Sequence, residues 1–252
     1  MRKYEIMIIE SEELNRNVKI FIKVPNDYYQ NDKRYPVLFI HDGQVAFNDF
    51  EENMTDWGLM DDYLINSKQE VILVGIDSGK TRVDELCPFV IKSKTRGELG
   101  GKTDKYISFI VGKLMTIINR EYRTLTGPEN TGMMGISLGG VCTFYATTKY
   151  TDYFSKYAVI SSAHYQVHNK LLPIINAADL SKISRFYSDV GTNESEKDDI
   201  SIRYIETNKE IFNVIEQKLH KDNRLLKVVD KSRHEFVDWN KRFATVIEFL
   251  FS

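Results

Sequence analysis

Two cysteines and five prolines in 252 residues exclude several classes of protein at once. Cys87 and Cys142 stand far apart with no metal-binding spacing, which argues against a disulfide scaffold and for a reducing compartment. No run approaches the roughly 20 apolar residues of a membrane span. The N-terminal Met1-Arg2-Lys3-Tyr4-Glu5 leads into a strand-like run rather than an apolar signal core. A cytoplasmic protein with no membrane partner is therefore expected. A charge excess of one sign is missing as well: 34 Lys and Arg against 36 Asp and Glu leave a net charge of -2 and no basic stripe for a nucleic acid. Internal repeats, low-complexity tracts and linker-like stretches are also absent, so one domain over residues 1–252 is expected.

What the chain has is an alternation of short apolar runs and amphipathic stretches. Residues 4–10 and 18–24 are β-rich with a polar turn between them and predict a hairpin. Residues 36–40, 71–76, 130–135, 157–160, 185–190 and 225–229 predict further strands, the continuously apolar ones buried on both faces. Apolar residues at helical spacing predict helices over 56–66, 103–122 with Thr103 as N-cap, 138–150, 202–219 and 236–249. This alternation predicts an α/β fold with a mostly parallel central sheet, an N-terminal antiparallel hairpin and helices on both faces. Residues 77–101 read as a long irregular segment, of the kind that is functional or carries short elements of its own.

Two patterns suggest other chemistry and fail on spacing. Gly75-Ile76-Asp77-Ser78-Gly79-Lys80-Thr81 follows a strand, but a phosphate-binding loop needs four residues between its glycines and here there are three. His164 and His168 are four apart, yet Tyr165 stands where a zinc hydrolase has glutamate, and no third ligand is evident. These two read as polar loop histidines.

The pattern that survives is Gly135-Ile136-Ser137-Leu138-Gly139, a G-x-S-x-G between a predicted strand and a predicted helix. A serine attacks well only when it stands proud of the backbone, and the glycines make room for so sharp a turn. Such a serine needs a base, and the base an orienting acid, in the chain order Ser, Asp or Glu, His. His234, after the last strand, has the right place; His41 precedes the serine, His164 and His168 precede the acid, and His220 ends a helix. Asp189 and Glu194 both stand near the end of the preceding strand and both qualify as the acid, with Asp198 and Asp199 further out. An oxyanion hole takes one N–H from Leu138 and a second from Gly43 or Gln44, in the turn after an earlier strand.

Five segments together carry a family resemblance. Tyr35-Pro36-Val37-Leu38-Phe39-Ile40-His41-Asp42-Gly43-Gln44 with Phe47, then Arg82-Val83-Asp84-Glu85-Leu86-Cys87-Pro88, the Gly135–Gly140 elbow, Gly191-Thr192-Asn193-Glu194, and His234-Glu235-Phe236 with Trp239 occur in order. They resemble the esterase D / enterochelin-esterase-like group of α/β-hydrolases. The resemblance implies a serine esterase or thioesterase without metal or other cofactor, and it selects Glu194 over Asp189 as the acid. The expected partner is a small-molecule ester, with homo-oligomerisation left open. An acyltransferase, or an inactive hydrolase-like binding module, is the competing expectation. Substrate contacts are expected from Arg82, Phe47, Trp57, His164 and Tyr165, drawn from the segments 45–57, 77–101 and 161–173.

Overall fold

The computed structural model describes residues 4–47, 70–93 and 95–252. In chain order these form β1 (Glu5–Ser11), β2 (Arg16–Lys23), β3 (Val37–His41), α1 (Gly43–Ala46), β4 (Ile72–Ile76), α2 (Arg82–Leu86), β5 (Ile91–Ser93) and β6 (Gly97–Leu99). Next come α3 (Thr103–Phe109), a π-helical turn (Ile110–Leu114), α4 (Met115–Glu121), β7 (Thr131–Ile136), α5 (Leu138–Ala146) and β8 (Lys156–Ile160). The chain ends with α6 (His168–Ala177), β9 (Arg185–Asn193), α7 (Asp198–Lys218), β10 (Arg224–Arg233) and α8 (Phe236–Phe251).

Eight of the described strands form one sheet in the order β1-β2-β4-β3-β7-β8-β9-β10. β1 and β2 pair antiparallel, as do β2 and β4, and every pair from β4 to β10 is parallel. The continuous apolar runs become the central strands because both faces are covered. Alternate residues of each strand enter two separate cores: Val37, Phe39, Val74 and Met133 pack with α3, α5 and α6 on one face. Leu38, Ile40, Leu73 and Met134 pack with α8 on the other. Truncating one of these, such as Met133→Ala, would cost about 2–5 kcal/mol. No helix among the described residues is long and apolar enough to cross a membrane.

The observed elements differ from the sequence reading where local chemistry competes with apolar period. The helix after the serine stops at Ala146 rather than residue 150. There Thr147 and Thr148 turn their hydroxyls back onto the carbonyls of Phe144 and Tyr145, which favours tighter turns over α-helix. Thr103 is not an N-cap: Lys102 holds that position, while the Thr103 hydroxyl is buried inside the first turn. The 77–101 segment carries α2 and the β5–β6 hairpin. Helix α6 has no counterpart among the predicted elements; it holds Pro173 in its interior and ends the polar stretch after β8. The helix predicted over 56–66 lies outside the described residues.

Candidate active site

β7 runs up the middle of the sheet and ends at Ser137, whose φ of 57° and ψ of -118° begin α5 without a connecting loop. Such a conformation costs an ordinary residue about 1–3 kcal/mol and persists only when its surroundings enforce it. Here they do. A Cβ on Gly135 would lie 2.1 Å from the Gly139 carbonyl oxygen, so the strand and the helix meet only because residue 135 is glycine. The Ser137 N–H donates to the Ile160 carbonyl at 3.0 Å, and Ala163 N–H donates to the Ser137 carbonyl at 3.1 Å, pinning the turn to the end of β8.

His234 arrives from the other side. β10 shifts register against β9 between Val229 and Arg233, with Lys231 at a φ of 57°. That irregularity bends the strand end toward the elbow. His234 Nε2 lies 2.8 Å from Ser137 Oγ, and His234 Nδ1 lies 2.6 Å from Glu194 Oε2. An ionised carboxylate only accepts, so Nδ1 carries the proton it donates and Nε2 is left to accept from the serine hydroxyl. The ring is wedged between Trp239, whose edge meets it at 4.8 Å, and Tyr204 at 5.5 Å. The other Glu194 oxygen accepts from the Gly191 N–H at 2.6 Å. Gly191 has no room for a side chain, since a Cβ there would lie 2.2 Å from the Ser232 carbonyl oxygen.

Asp189, the rival acid, is elsewhere. It is fully buried on β9, accepts from the Tyr187 hydroxyl at 2.6 Å and lies 2.8 Å from Arg242 Nε on α8. Arg242 Nε has no aligned hydrogen bond, so that contact is an ion pair. Burial pushes the Asp189 carboxyl above its ordinary value, with the Arg242 charge opposing the shift. The same guanidinium donates to Ser232 Oγ and to Ser161 Oγ, and Trp239 Nε1 donates to Ser161 Oγ as well.

The turn after β3 faces the elbow. Asp42 takes a left-handed conformation at φ 57°, ψ 47°, and α1 starts at Gly43. A Cβ on Gly139 would sit 3.2 Å from His41 Cβ, so this turn and the start of α5 are immediate neighbours. Leu138 is the first residue of α5, and Gly43 and Gln44 are the first two of α1. N–H groups at such positions have no intrahelical acceptor. A Cβ on Gly43 would lie 2.5 Å from the Gly75 backbone, so glycine alone lets α1 seat against β4.

The residues expected to touch substrate divide. Arg82 lines the cavity beside Ser137, but two of its nitrogens are held by Asp42 at 2.7 and 2.8 Å, and Ser78 donates to the same carboxylate. Tyr165 is half-buried, and its ring lies 4.8 Å from Tyr204, which in turn flanks His234. Phe47 belongs to the core instead, stacked on Phe21 at 5.6 Å and pressed against Gly75. His164 also fails the expectation, both as a contact and as a loop histidine. It is fully buried against Phe144, with Nδ1 3.0 Å from Ser162 Oγ, and burial lowers its pKa to about 3. His168 pairs with Glu210 at 2.9 Å. Trp57 lies outside the described residues. Tyr204 and Arg242 were missed by the sequence reading. Arg242 had a signal, since it falls in the apolar stripe of α8 beside Trp239, Phe243 and Val246, where a charge requires a partner.

Comparison with known proteins gives this geometry its context. The model of the family described as "Putative esterase" matches residues 11–250. A curated relative, an uncharacterized protein YbbA of Bacillus subtilis (strain 168), is 24% identical over 247 residues, covering 96% of this chain and 95% of its own. Among solved structures, an IroE-like serine hydrolase from Shewanella oneidensis superposes with a TM-score of 0.81 at 17% identity, over 98% of this chain and 80% of its own. The enterobactin esterase FES from Shigella flexneri superposes with a TM-score of 0.73 at 16% identity, over 98% of this chain and 58% of its own. At such identities the structural likeness establishes the fold, an α/β-hydrolase sheet with its N-terminal hairpin.

Proposed function

The chain belongs to this esterase family, and from that premise we propose that it is a serine hydrolase of carboxylic or thio esters working through Ser137, His234 and Glu194. The observation that carries the proposal is the unbroken series of contacts from Ser137 Oγ to His234 Nε2 and from His234 Nδ1 to Glu194, at 2.8 and 2.6 Å. Ser137 Oγ attacks the ester carbonyl while His234 Nε2 takes its proton; Glu194 stabilises the imidazolium that results. The oxyanion is held by the Leu138 N–H and an N–H of Gly43 or Gln44. The imidazolium then protonates the departing alcohol, and water repeats the sequence to release the acid and free Ser137. The nucleophile of the first step, the base, the acid that orients it and the oxyanion donors all come from the chain itself.

The test is covalent. A fluorophosphonate probe should label Ser137, and p-nitrophenyl ester hydrolysis should disappear in Ser137→Ala while the circular dichroism spectrum stays unchanged. The loss should be on the order of 10³-fold or more, with residual rate from the oxyanion hole alone. Hydrolysis by Ser137→Ala at the wild-type rate would refute the mechanism. Because one solved neighbour is an enterobactin esterase, a catecholate siderophore ester belongs in the assay beside simple esters.

A further inference from the structure

Two openings flank the Ser137–His234 pair, and their chemistry differs. One is a cavity of about 190 Å³ lined by Ser137 together with Val45, Ala46, Met134, Ile136, Phe236 and Trp239. The other is a cleft of about 510 Å³ lined by His234 and Glu194 together with Glu196, Asp198, Arg233 and Glu235. The proton that His234 Nε2 delivers must reach the leaving oxygen, so the alcohol part of an ester sits on the His234 side. The acyl part then extends into the space bounded by Ser137 and not by His234, which is the smaller cavity.

The polar groups on that cavity carry no uncompensated charge. Arg82 is closed on Asp42 through two hydrogen bonds. His41 is buried with Nδ1 2.9 Å from the Tyr106 hydroxyl, and burial lowers its pKa to about 4, so it is neutral near pH 7. Size sets a second limit. A protein cavity of about 150 Å³ lined by apolar residues accepts benzene, six carbons. Resting on the esterase reading above, we propose that the 190 Å³ cavity is the acyl-binding pocket and that it selects an uncharged apolar acyl group of about six to eight carbons. In the reaction the acyl carbon bonds to Ser137 Oγ as its bond to the alcohol oxygen breaks. The serine proton passes through His234 to that oxygen. The acyl chain stays in the cavity until water, losing a proton to His234, takes the place of Ser137.

The test holds the leaving group constant and varies the acyl group: p-nitrophenyl acetate, hexanoate and dodecanoate, and the mono-p-nitrophenyl ester of adipic acid. Hexanoate should exceed each of the others in kcat/KM by about tenfold or more, since a single methylene in a fitted apolar pocket is worth about that much. Narrowing the cavity with Val45→Phe, or with Ala46→Leu as a second variant, should lower the hexanoate-to-acetate ratio by about tenfold, with Ser137 still labelled by a small fluorophosphonate. A flat chain-length profile, a preference for dodecanoate or the adipate ester, or an unchanged ratio in a labelled variant would overturn the acyl-pocket assignment alone. Failure of the wild type both to label and to turn over any ester would overturn the esterase reading and the pocket with it.

Discussion

Two carboxylates five residues apart, Asp189 and Glu194, occupy the same end of the sheet and are both buried, yet they meet different partners. Asp189 shares a strand face with Tyr187, the face that packs on α8, and so it meets Arg242. Glu194 lies past the end of β9, beyond Gly191, and reaches His234 on the neighbouring loop. The Asp189 pair ties β9 to α8. The Glu194 pair instead continues through His234 Nε2 to Ser137 Oγ. Burial does not distinguish the two carboxylates; the partner each one meets does.

The largest expected effect breaks the contrast at His234. His234→Ala should reduce kcat by about 10³-fold or more, and adding Ser137→Ala should reduce it little further, because groups that act as one unit lose their contribution together. Steady-state kinetics on the two single variants and the double variant decide it; losses that multiply independently would mean that serine and histidine do not cooperate.

Next in size is the acid itself. Glu194→Gln keeps the shape of the side chain and an oxygen for the Gly191 N–H, but it removes the charge that balances an imidazolium. The expected loss in kcat is about 10²- to 10⁴-fold. An unchanged kcat for Glu194→Gln, set against a collapse for Asp189→Asn with intact fold, would exchange the roles of the two carboxylates.

The Asp189 pair should show itself in stability. Asp189→Asn leaves the Arg242 guanidinium buried without its counter-ion, a change that costs about 3–5 kcal/mol. Removing both charges in Asp189→Asn/Arg242→Met should recover much of that loss. Urea unfolding of the single and double variants measures it. If the double variant is less stable than the sum of the two single losses, the ion pair is not what holds that end of α8.

Much of this is legible in the amino-acid sequence alone. The central strands were found to within a residue or two, because a parallel strand covered on both faces is written as an unbroken apolar run, as in Val37-Leu38-Phe39-Ile40. The elbow was visible because its turn leaves no room for a side chain at Gly135. Partners across the sheet were not: nothing local to Asp189 announces Arg242, 53 positions later in the sequence. Period-2 parity was the available clue, since Tyr187 and Asp189 must face the same way. His164 and Phe47 were misread for a related reason. Each sits in a polar or irregular stretch, but its burial is decided by elements that pack over it from elsewhere in the chain, the helix α5 over His164 and the strands β2 and β4 over Phe47.

Imidazoles supply a last and smaller contrast, between the exposed edge of His234 and the two histidines sealed in the interior. Burial lowers the pKa of His41 to about 4 and that of His164 to about 3, against an ordinary value of 6.5. A folded-state pKa below the unfolded one means that the unfolded chain binds the proton first. The stability each contributes is therefore complete above pH 6.5 and is lost as the pH falls toward the folded value. Below pH 6.5 unfolding free energy should therefore fall on acidification, by up to about 1.4 kcal/mol per pH unit for each histidine. Urea unfolding at pH 7.5, 6 and 5 would read this slope. His164→Gln should flatten it by about one proton's worth while leaving His41's share in place. A His164→Gln variant with the wild-type slope would show that His164 takes up its proton without unfolding the chain, and that its burial does not seal it from solvent.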